Sequence, residues 1–262
     1  MAARMQALMN HQRGLPIVTI NLFSDVACPW CYVGTRRMKR ALGMYKRQFG
    51  NSAPVKLVIH PVQANVLEPS GQDVASYWSK HEGGGGLGLM KSRLQRAGLP
   101  EGAAFANWRT VPSTLLAHEL LLLASSAGLA EQINDLLFAR TYEQGANVSE
   151  LGELLDIAEA VGMQRDFVRQ ELTRGEGGPL ARSVVQRDAA AKKRLRIKAV
   201  PHFIIAAGPS SRTKYSLDGA QQSSDLMGAM QAVAMQEARG PATAGSRQPS
   251  LAARPASVLY AP

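Results

Sequence analysis

The order of apolar and polar positions predicts a strand, a helix and a second strand in the first sixty residues. Residues 17–23 (IVTINLF) are rich in β-branched side chains and short enough for a buried strand. From Val33 to Phe49 apolar residues recur every three or four positions, with lysines and arginines between them, which is typical of a helix with a basic outer face. Residues 55–62 (VKLVIHPV) predict the second strand.

The pattern from residue 72 to residue 178 predicts helices almost throughout. Ser113 and Ser149 are expected to cap two of them, because serine side chains accept hydrogen bonds from unpaired N–H groups at helix starts. Pro179 begins a further helix that ends near Leu195, since proline lacks the N–H that has no partner in the first turn.

Strand patterns return only after that helix. Residues 200–206 (VPHFIIA) and 214–217 (KYSL) flank a Gly-Pro-Ser-Ser turn and predict a hairpin, and residues 222–237 predict a last helix. Without residues 72–178, a βαβ half and a ββα half remain, which is the order of the thioredoxin fold. The predicted fold class is therefore α/β, a thioredoxin-like fold with a large all-helical insertion between its βαβ and ββα halves.

Five segments follow from this order. Residues 1–16 form a basic N-terminal extension, 17–71 the first thioredoxin-like half, 72–178 the helical insertion and 179–238 the second half. Residues 239–262 form a tail that is expected to be disordered, because it is rich in Ala, Ser and Gly and holds four of the 14 prolines.

Composition excludes several classes of protein. Apolar residues make up 45% and charged residues 19% of the 262 residues, which predicts a globular rather than a disordered chain. No stretch approaches the roughly 20 unbroken apolar residues of a membrane helix, so no membrane partner is expected. Half of the net charge of +10 lies in the two tails, and no binding motif accompanies it, so no nucleic-acid partner is expected either.

The chain has two cysteines, Cys28 and Cys31, in one Cys-Pro-Trp-Cys motif between the first strand and the first helix. Two cysteines build neither a disulfide framework nor a four-cysteine zinc site, so no metal is predicted. A single reactive pair fits a reducing compartment, and the cytoplasm is the expected location. Residues 1–16 contain no acidic residue, which leaves a mitochondrial presequence as the alternative.

The position of the motif predicts thiol–disulfide chemistry. Cys28 opens the helix, where unpaired N–H groups and the helix dipole stabilise a thiolate, so Cys28 is the predicted attacking group. Cys31 lies almost one helical turn further on, faces Cys28 and is expected to resolve a mixed disulfide from a less exposed position. Pro29 and Trp30 are expected to contribute to the substrate groove.

Two other polar residues have competing interpretations. Asp25 is either a residue of the strand-to-helix turn, which is the favoured interpretation, or a proton acceptor for Cys31. His118 lies among leucines in a predicted helix, and we expect it to be a packed side chain rather than a base.

The residues around the cysteines also resemble a known family. Residues 24–34 (SDVACPWCYVG), followed by two arginines, are similar to the opening of DsbA-like thioredoxin-fold proteins of the FrnE branch, which are related to 2-hydroxychromene-2-carboxylate isomerases and kappa-class glutathione transferases. The likeness covers roughly residues 17–235. It continues in the segments 60–65 (HPVQAN), 111–118 (VPSTLLAH), 200–203 (VPHF) and 219–221 (GAQ).

The resemblance implies a thiol–disulfide oxidoreductase that needs no bound cofactor. It implies a cis peptide bond between Val200 and Pro201, opposite the cysteines, with the Val200 backbone pairing with the substrate. The expected partner is a thiol or disulfide, either a protein or glutathione as a co-substrate. The direction of electron flow and the oligomeric state are not predicted.

Two alternative functions remain open. One is a glutathione-dependent isomerase or transferase, in which Cys28 would activate or hold glutathione; relatives with those activities carry serine at this position, so Cys28 argues against it. The other is a non-catalytic peptide-binding or chaperone module that has kept the fold. Redox titration separates the module from the oxidoreductase, because only the oxidoreductase must cycle between dithiol and disulfide.

Overall fold

A computed structural model of the protein describes residues 15–81, 86–175, 177–208, 210–211 and 213–238. The predicted tail, and all but the last two residues of the predicted basic extension, lie outside these ranges. Among the described residues, no helix combines the length and the apolar character that crossing a membrane requires.

The first half of the fold contains the predicted strand, helix and strand. These are β1 (Val18–Ser24), α1 (Pro29–Phe49) and β2 (Val55–Pro61). β1 and β2 are parallel and pair along their full lengths. Parallel neighbours need a crossover connection, and α1 provides it, so the first turn of α1 starts at the carboxyl end of β1.

The insertion is helical apart from two short strands. β3 (Gln72–Asp73) pairs with β4 (Thr110–Val111) in an antiparallel two-stranded sheet, so the prediction of an all-helical insertion missed this sheet. Two-residue strands are too short to show a period-2 pattern. The helices of the insertion are α2 (Val74–His81), α3 (Gly86–Gly98), α4 (Leu115–Ser126), α5 (Ala130–Tyr142), α6 (Leu151–Ala160) and α7 (Arg165–Leu172).

Ser113 and Ser149 do not cap helices, contrary to the prediction. Thr114 and Glu150 occupy the N-cap positions of α4 and α6, and neither side chain makes a capping hydrogen bond. Ser149 Oγ instead accepts a hydrogen bond from the backbone N–H of Ser113 at 2.8 Å. This bond joins two loops that are distant in sequence, which a local capping rule cannot anticipate.

The second half consists of α8 (Pro179–Lys193), β5 (His202–Ala206), β6 (Lys214–Asp218) and α9 (Ser223–Ala238). Pro179 occupies the start of α8 as predicted. β5 is antiparallel to both β1 and β6, which gives a four-stranded sheet with the order β2-β1-β5-β6. The hairpin begins at His202 rather than Val200, so the predicted cis-proline segment immediately precedes β5.

Helices cover both faces of this sheet. The even-numbered residues of β1 point to the face covered by α1 and α9, and α8 packs on the opposite face. The core between the sheet, α1 and α9 includes Val18, Ile20, Leu22, Met38, Phe203, Ile205, Leu226 and Val233.

The insertion packs directly against the start of α1. Tyr32, in the first turn, stacks on Phe138 and Tyr142 of α5 with ring centroids 5.4 and 5.6 Å apart. The Tyr142 hydroxyl also donates a hydrogen bond to the Val26 carbonyl at 2.9 Å. Such aromatic pairs stabilise by about 0.5–1.5 kcal/mol each beyond the area that they bury. The helical insertion thus fixes the turn that carries the cysteines.

Candidate active site

Cys28 occupies the N-cap of α1, at the position that the sequence predicts. Its backbone is extended, with φ −90° and ψ 110°, and Pro29 follows at the start of the helix. The side chain is half-buried, and its thiol donates a hydrogen bond to the Val200 carbonyl at a sulfur–oxygen distance of 3.5 Å. Cys28 therefore lies where helix N–H groups point and where a second sulfur can approach from the groove.

Cys31 is completely buried one turn further along α1. Its sulfur accepts a hydrogen bond from the backbone N–H of Asp25 at 3.5 Å, and both cysteines are free thiols. Burial raises the pKa of the Cys31 thiol well above its ordinary value, and the neighbouring Cys28 raises it further. The expectation that Cys31 is the less exposed cysteine is confirmed.

Asp25 is also completely buried, and its carboxylate supports the turn before α1. One oxygen accepts a hydrogen bond from the Ala27 N–H at 3.1 Å, and the other accepts from the Ala64 N–H at 2.6 Å. These bonds confirm the interpretation of Asp25 as a turn residue.

His118 is a packed side chain, as predicted, but it packs against a charge. The ring is 1% exposed, and its Nε2 lies 3.4 Å from Oδ1 of Asp25. No local pattern predicts this contact, because α4 belongs to the insertion and Asp25 to the first half of the fold.

The Val200–Pro201 peptide bond is cis, as the resemblance implies. The Pro201 carbonyl accepts a hydrogen bond from the Gly219 N–H at 2.8 Å, which ties this segment to the loop after β6. Next to Pro201, Nδ1 of His202 lies 2.7 Å from an Asp218 carboxylate oxygen. The segment opposite Cys28 is therefore held by its hairpin.

A cavity of about 240 Å³ opens beside Cys28. Of the four predicted substrate-binding residues, Pro29 and Val200 line this cavity, whereas Trp30 and Pro201 do not. Trp30 is half-buried and packs against the core of the insertion, and Pro201 is buried. The remaining lining residues are Ala27, Val62, Ala64, Asn65, Tyr77, Trp78, Lys192, Ile197, Lys198 and Ala199.

Several of these residues were not anticipated. Tyr77 and Trp78 come from α2, and the Tyr77 hydroxyl accepts a hydrogen bond from the Asn65 side-chain amide at 2.7 Å. Burial raises the pKa of Tyr77, and the nearby Cys28 and Asp25 add to this effect. Asn65 lies in a segment that resembles the family, and that resemblance was the one feature of the sequence that could have indicated its place in the site. The aromatic residues of α2 cannot be distinguished in sequence from ordinary core residues.

The cavity wall is apolar with a positive rim. Lys192 and Lys198 line it, and the wall that the structure describes contains no acidic side chain. The Lys192 ammonium donates a hydrogen bond to the Gln63 carbonyl at 2.7 Å and pairs with Asp188 at 3.0 Å. The two ammonium groups favour the binding of anionic groups in this cavity.

The fold and the paired cysteines agree with a comparison against protein families. The DSBA-like thioredoxin domain matches residues 19–233, which is most of the chain. The protein therefore belongs to the DSBA-like thioredoxin family. Among proteins of curated function, none matches the chain.

Solved structures show the same fold. A probable DsbA oxidoreductase from Streptomyces coelicolor is 22% identical, with a TM-score of 0.68 over 88% of this chain and 94% of that one. A 2-hydroxychromene-2-carboxylate isomerase is 14% identical, with a TM-score of 0.61 over 86% and 100%. The cytosolic disulfide reductase DsbM from Pseudomonas aeruginosa, solved with glutathione, is 16% identical, with a TM-score of 0.52 over 82% and 98%. At these identities the likeness concerns the fold alone.

Proposed function

We propose that the protein is a thiol–disulfide oxidoreductase in which Cys28 attacks and Cys31 resolves. The observation that carries the proposal is the difference in position and exposure between the two thiols. Cys28 lies at the N-cap of α1 beside a cavity, whereas Cys31 is buried one turn behind it. A substrate sulfur can therefore approach only Cys28, and Cys31 can complete the thiol–disulfide exchange that Cys28 begins.

The exchange has two steps. The Cys28 thiolate attacks one sulfur of a substrate disulfide, a mixed disulfide forms, and the other substrate sulfur leaves as a thiolate that takes a proton from solvent. Cys31 then loses its proton and attacks the Cys28 sulfur, so that the intramolecular disulfide forms and the remaining substrate sulfur leaves. The dithiol is oxidised by two electrons and the substrate is reduced; the reverse sequence oxidises a substrate dithiol.

The segment opposite the cysteines supplies the proposed docking edge for the substrate. The Val200 carbonyl already accepts a hydrogen bond from the Cys28 thiol, so it lies within reach of a chain bonded to that sulfur. We assign backbone pairing to Val200, the groove wall to Pro29 and the support of the segment to Pro201. Trp30 lies outside the cavity and packs against the core of the insertion, so its proposed contact with substrate is limited to a chain that extends beyond the cavity.

Glutathione is the proposed small co-substrate. The positive rim at Lys192 and Lys198 complements its carboxylates, and one protein of the same fold has been solved with it. No bound cofactor enters the exchange, because the two sulfurs carry both electrons. We propose a cytoplasmic location for this reaction, since a dithiol without competing cysteines fits a reducing compartment.

Paired serine variants test the order of attack. Cys31→Ser should attack glutathione disulfide, release one molecule of reduced glutathione, keep the other as a mixed disulfide and then stall, because serine cannot displace the bound thiol. Mass spectrometry should therefore find one glutathione on Cys28, removable with dithiothreitol. Cys28→Ser should remain unmodified under the same conditions.

Three other outcomes would contradict the proposal. Adducts that accumulate only in Cys28→Ser would show that Cys31 attacks first. Adducts in neither variant would favour the non-catalytic module. Turnover of an isomerase substrate by Cys31→Ser at the wild-type rate would favour the glutathione-dependent isomerase.

A further inference from the structure

A second cavity lies on the face of the four-stranded sheet that α8 covers. Thr19 and Asn21 of β1 contribute to its floor and Arg187 and Ala190 of α8 to its wall, and we call it the sheet cavity. Its volume is about 420 Å³, and it shares no described lining residue with the cavity beside Cys28. Pockets that bind small molecules commonly have volumes of about 300–1,000 Å³, so the sheet cavity is large enough for a ligand.

The sheet cavity exists because α8 covers only one end of the sheet. Phe23, at the carboxyl end of β1, packs in one apolar cluster with Ala191 of α8 and Ile204 of β5. Thr19 and Asn21 lie on the same face of β1 but are only half-buried. They are polar although β1 is a central strand, between β2 and β5. A strand covered by a helix usually carries apolar residues on that face, so packing alone does not account for this polar floor.

His60 completes the polar floor. Its Nε2 lies 2.9 Å from Oδ1 of Asn21, and its ring stacks on Phe23 with centroids 4.6 Å apart. Burial and, to a smaller extent, the charge of Arg187 lower the pKa of the imidazole to about 4, so the ring is neutral near neutral pH. The ring therefore donates its Nε2–H to the Asn21 carbonyl oxygen, which leaves the N–H donors of the Asn21 amide available to a ligand.

Two cations line the sheet cavity without a carboxylate partner. Arg187 belongs to α8, and Lys214 begins β6. Neither side chain forms an ion pair or donates a hydrogen bond within the part of the chain that the structure describes, and the described wall of the cavity contains no acidic side chain. Asp188, which follows Arg187 in sequence, pairs instead with Lys192. Two uncompensated cations favour the binding of an anion here.

The wall beside these cations is apolar. Ala190 and Ala191 lie about one helical turn after Arg187, and Leu195 follows the end of α8. Leu195 is 46% exposed, although its side chain is large and apolar. An apolar group bound in the sheet cavity would remove part of this side chain from water, which is favourable in proportion to the area buried.

We propose that the sheet cavity binds a small organic monocarboxylate with an apolar body. The carboxylate pairs with the Arg187 guanidinium and the Lys214 ammonium, and the apolar body packs on Leu195. Arginine suits this role because its planar fork matches a carboxylate. A singly charged anion is favoured over a phosphate, since the C-terminal end of α8 carries partial negative charge and opposes a second negative charge. This site is separate from Cys28, so the inference does not rest on the proposed thiol exchange.

1-Naphthoate and 1-naphthamide are matched probes, because they share the naphthalene ring and differ in charge. Equilibrium dialysis against the reduced full-length protein should show one saturable site, with 1-naphthoate bound at least about tenfold more tightly than 1-naphthamide. Arg187→Gln should weaken the binding of 1-naphthoate about tenfold, and Lys214→Gln about threefold, because each removes one charge from the site. The affinity for 1-naphthamide should stay within about twofold of the wild type in both variants, since an amide carries no charge.

Two further variants of α8 locate the site. Arg182→Gln removes a charge from an exposed residue of the same helix outside the sheet cavity, and it should bind both probes as the wild type does. Ala190→Leu adds volume at a half-buried position of the cavity wall and should weaken both probes at least about fivefold, because it occupies the space of the ligand. Arg187→Gln changes an exposed side chain and so provides the test if Ala190→Leu fails to fold.

Three results would overturn the inference. Equal affinities of the wild type for the two probes would show that the site does not recognise charge. Weaker binding of 1-naphthoate in Lys198→Gln, with wild-type binding in Arg187→Gln, would place the probe in the cavity beside Cys28. The third result is the absence of saturable binding of 1-naphthoate with a Kd below about 1 mM. All three leave the proposed thiol exchange standing, because Arg187 and Lys214 lie outside the cavity beside Cys28.

Discussion

Gly34 and Pro201 meet where α1 passes the segment opposite the cysteines. A Cβ atom on Gly34 would lie 2.8 Å from Cγ and 3.3 Å from Cβ of Pro201. Carbon atoms at optimal contact are about 3.5–4.0 Å apart, so only glycine allows this approach. The distance between the helix that carries both cysteines and the Val200–Pro201 segment thus depends on the absence of one methyl group.

Gly34→Ala should therefore push the two segments apart. Overpacking a buried contact costs about 1–3 kcal/mol, which exceeds the roughly 1 kcal/mol that alanine contributes over glycine inside a helix. We expect a lower free energy of unfolding in urea and a slower reaction of Cys28 with Ellman's reagent.

Gly43→Ala is the matched control in the same helix. Its added Cβ would meet only the end of the flexible Arg47 side chain, at 3.4 Å. This variant should be more stable than the wild type by about 0.5–1 kcal/mol, and its Cys28 should react with Ellman's reagent at the wild-type rate. If the two alanine variants respond alike, the Gly34–Pro201 contact does not control the groove.

The sequence predicted the parts of the site that are local in the chain. The apolar run of β1, the proline after Cys28 and the basic helix placed the dithiol correctly at a helix start. Tyr77 and Lys192 were missed, and so was the contact between His118 and Asp25, because each of these side chains reaches the site from a helix far along the chain. Their own neighbours in sequence do not indicate the direction in which those helices pack.

The same limit applies to the fold. Short runs of β-branched and apolar residues predicted the four strands of the sheet, and helical periodicity predicted its helices, because those elements bury continuous faces. The β3–β4 pair and the bond between Ser113 and Ser149 depend on contacts between distant loops. Neither leaves a periodic pattern.

The two thiols should differ in their reaction with iodoacetamide. Burial raises the pKa of Cys31 and also blocks access to its sulfur, whereas Cys28 is half-buried beside the cavity. Peptide mass spectrometry of the reduced protein should find Cys28 alkylated at least about tenfold faster at neutral pH. In denaturing urea the two rates should converge. Equal rates in the folded protein would mean that Cys31 is open to solvent.

Glu143 should be important for the stability of the insertion. Its carboxylate accepts hydrogen bonds from the N–H groups of Ala104, Phe105 and Ala106 at 2.9, 3.1 and 3.2 Å. Phe105 is buried and has φ +54°, a conformation that a non-glycine residue adopts only when its surroundings hold it. Glu143→Ala should lower the free energy of unfolding by about 2 kcal/mol or more, because removal of the carboxylate leaves three backbone N–H donors without their acceptor.

Glu159→Ala provides the comparison for this loss. Glu159 forms an exposed ion pair with Arg165, and such pairs contribute about 0–1 kcal/mol. Urea denaturation should therefore show a clearly larger loss of unfolding free energy for Glu143→Ala than for Glu159→Ala. A loss at Glu143 no larger than that at Glu159 would show that the Phe105 turn is held by its apolar packing alone.

Glu119 gives the protein a specific dependence on pH. The side chain is 3% exposed in α4, and burial raises the pKa of its carboxyl from an ordinary 4.5 to about 7. Between these two values the folded state keeps a proton that the unfolded state has lost, so the free energy of unfolding falls as the pH rises from 4.5 towards 7. Above about pH 7 the folded protein carries the full cost of burying the ionised Glu119 carboxylate, which is at most about 3 kcal/mol.

Glu119→Gln removes this penalty because glutamine stays neutral at every pH. Its melting temperature should exceed that of the wild type near pH 8, and the difference should shrink towards pH 4.5. Glu131→Gln, in an exposed residue of the first turn of α5, is the control and should leave the pH dependence unchanged. The measurement is the melting temperature of each variant and of the wild type, followed by circular dichroism at pH values from about 4.5 to about 8. Parallel curves for Glu119→Gln and the wild type would show that the Glu119 carboxyl is hydrated in the folded protein and titrates as an ordinary glutamate.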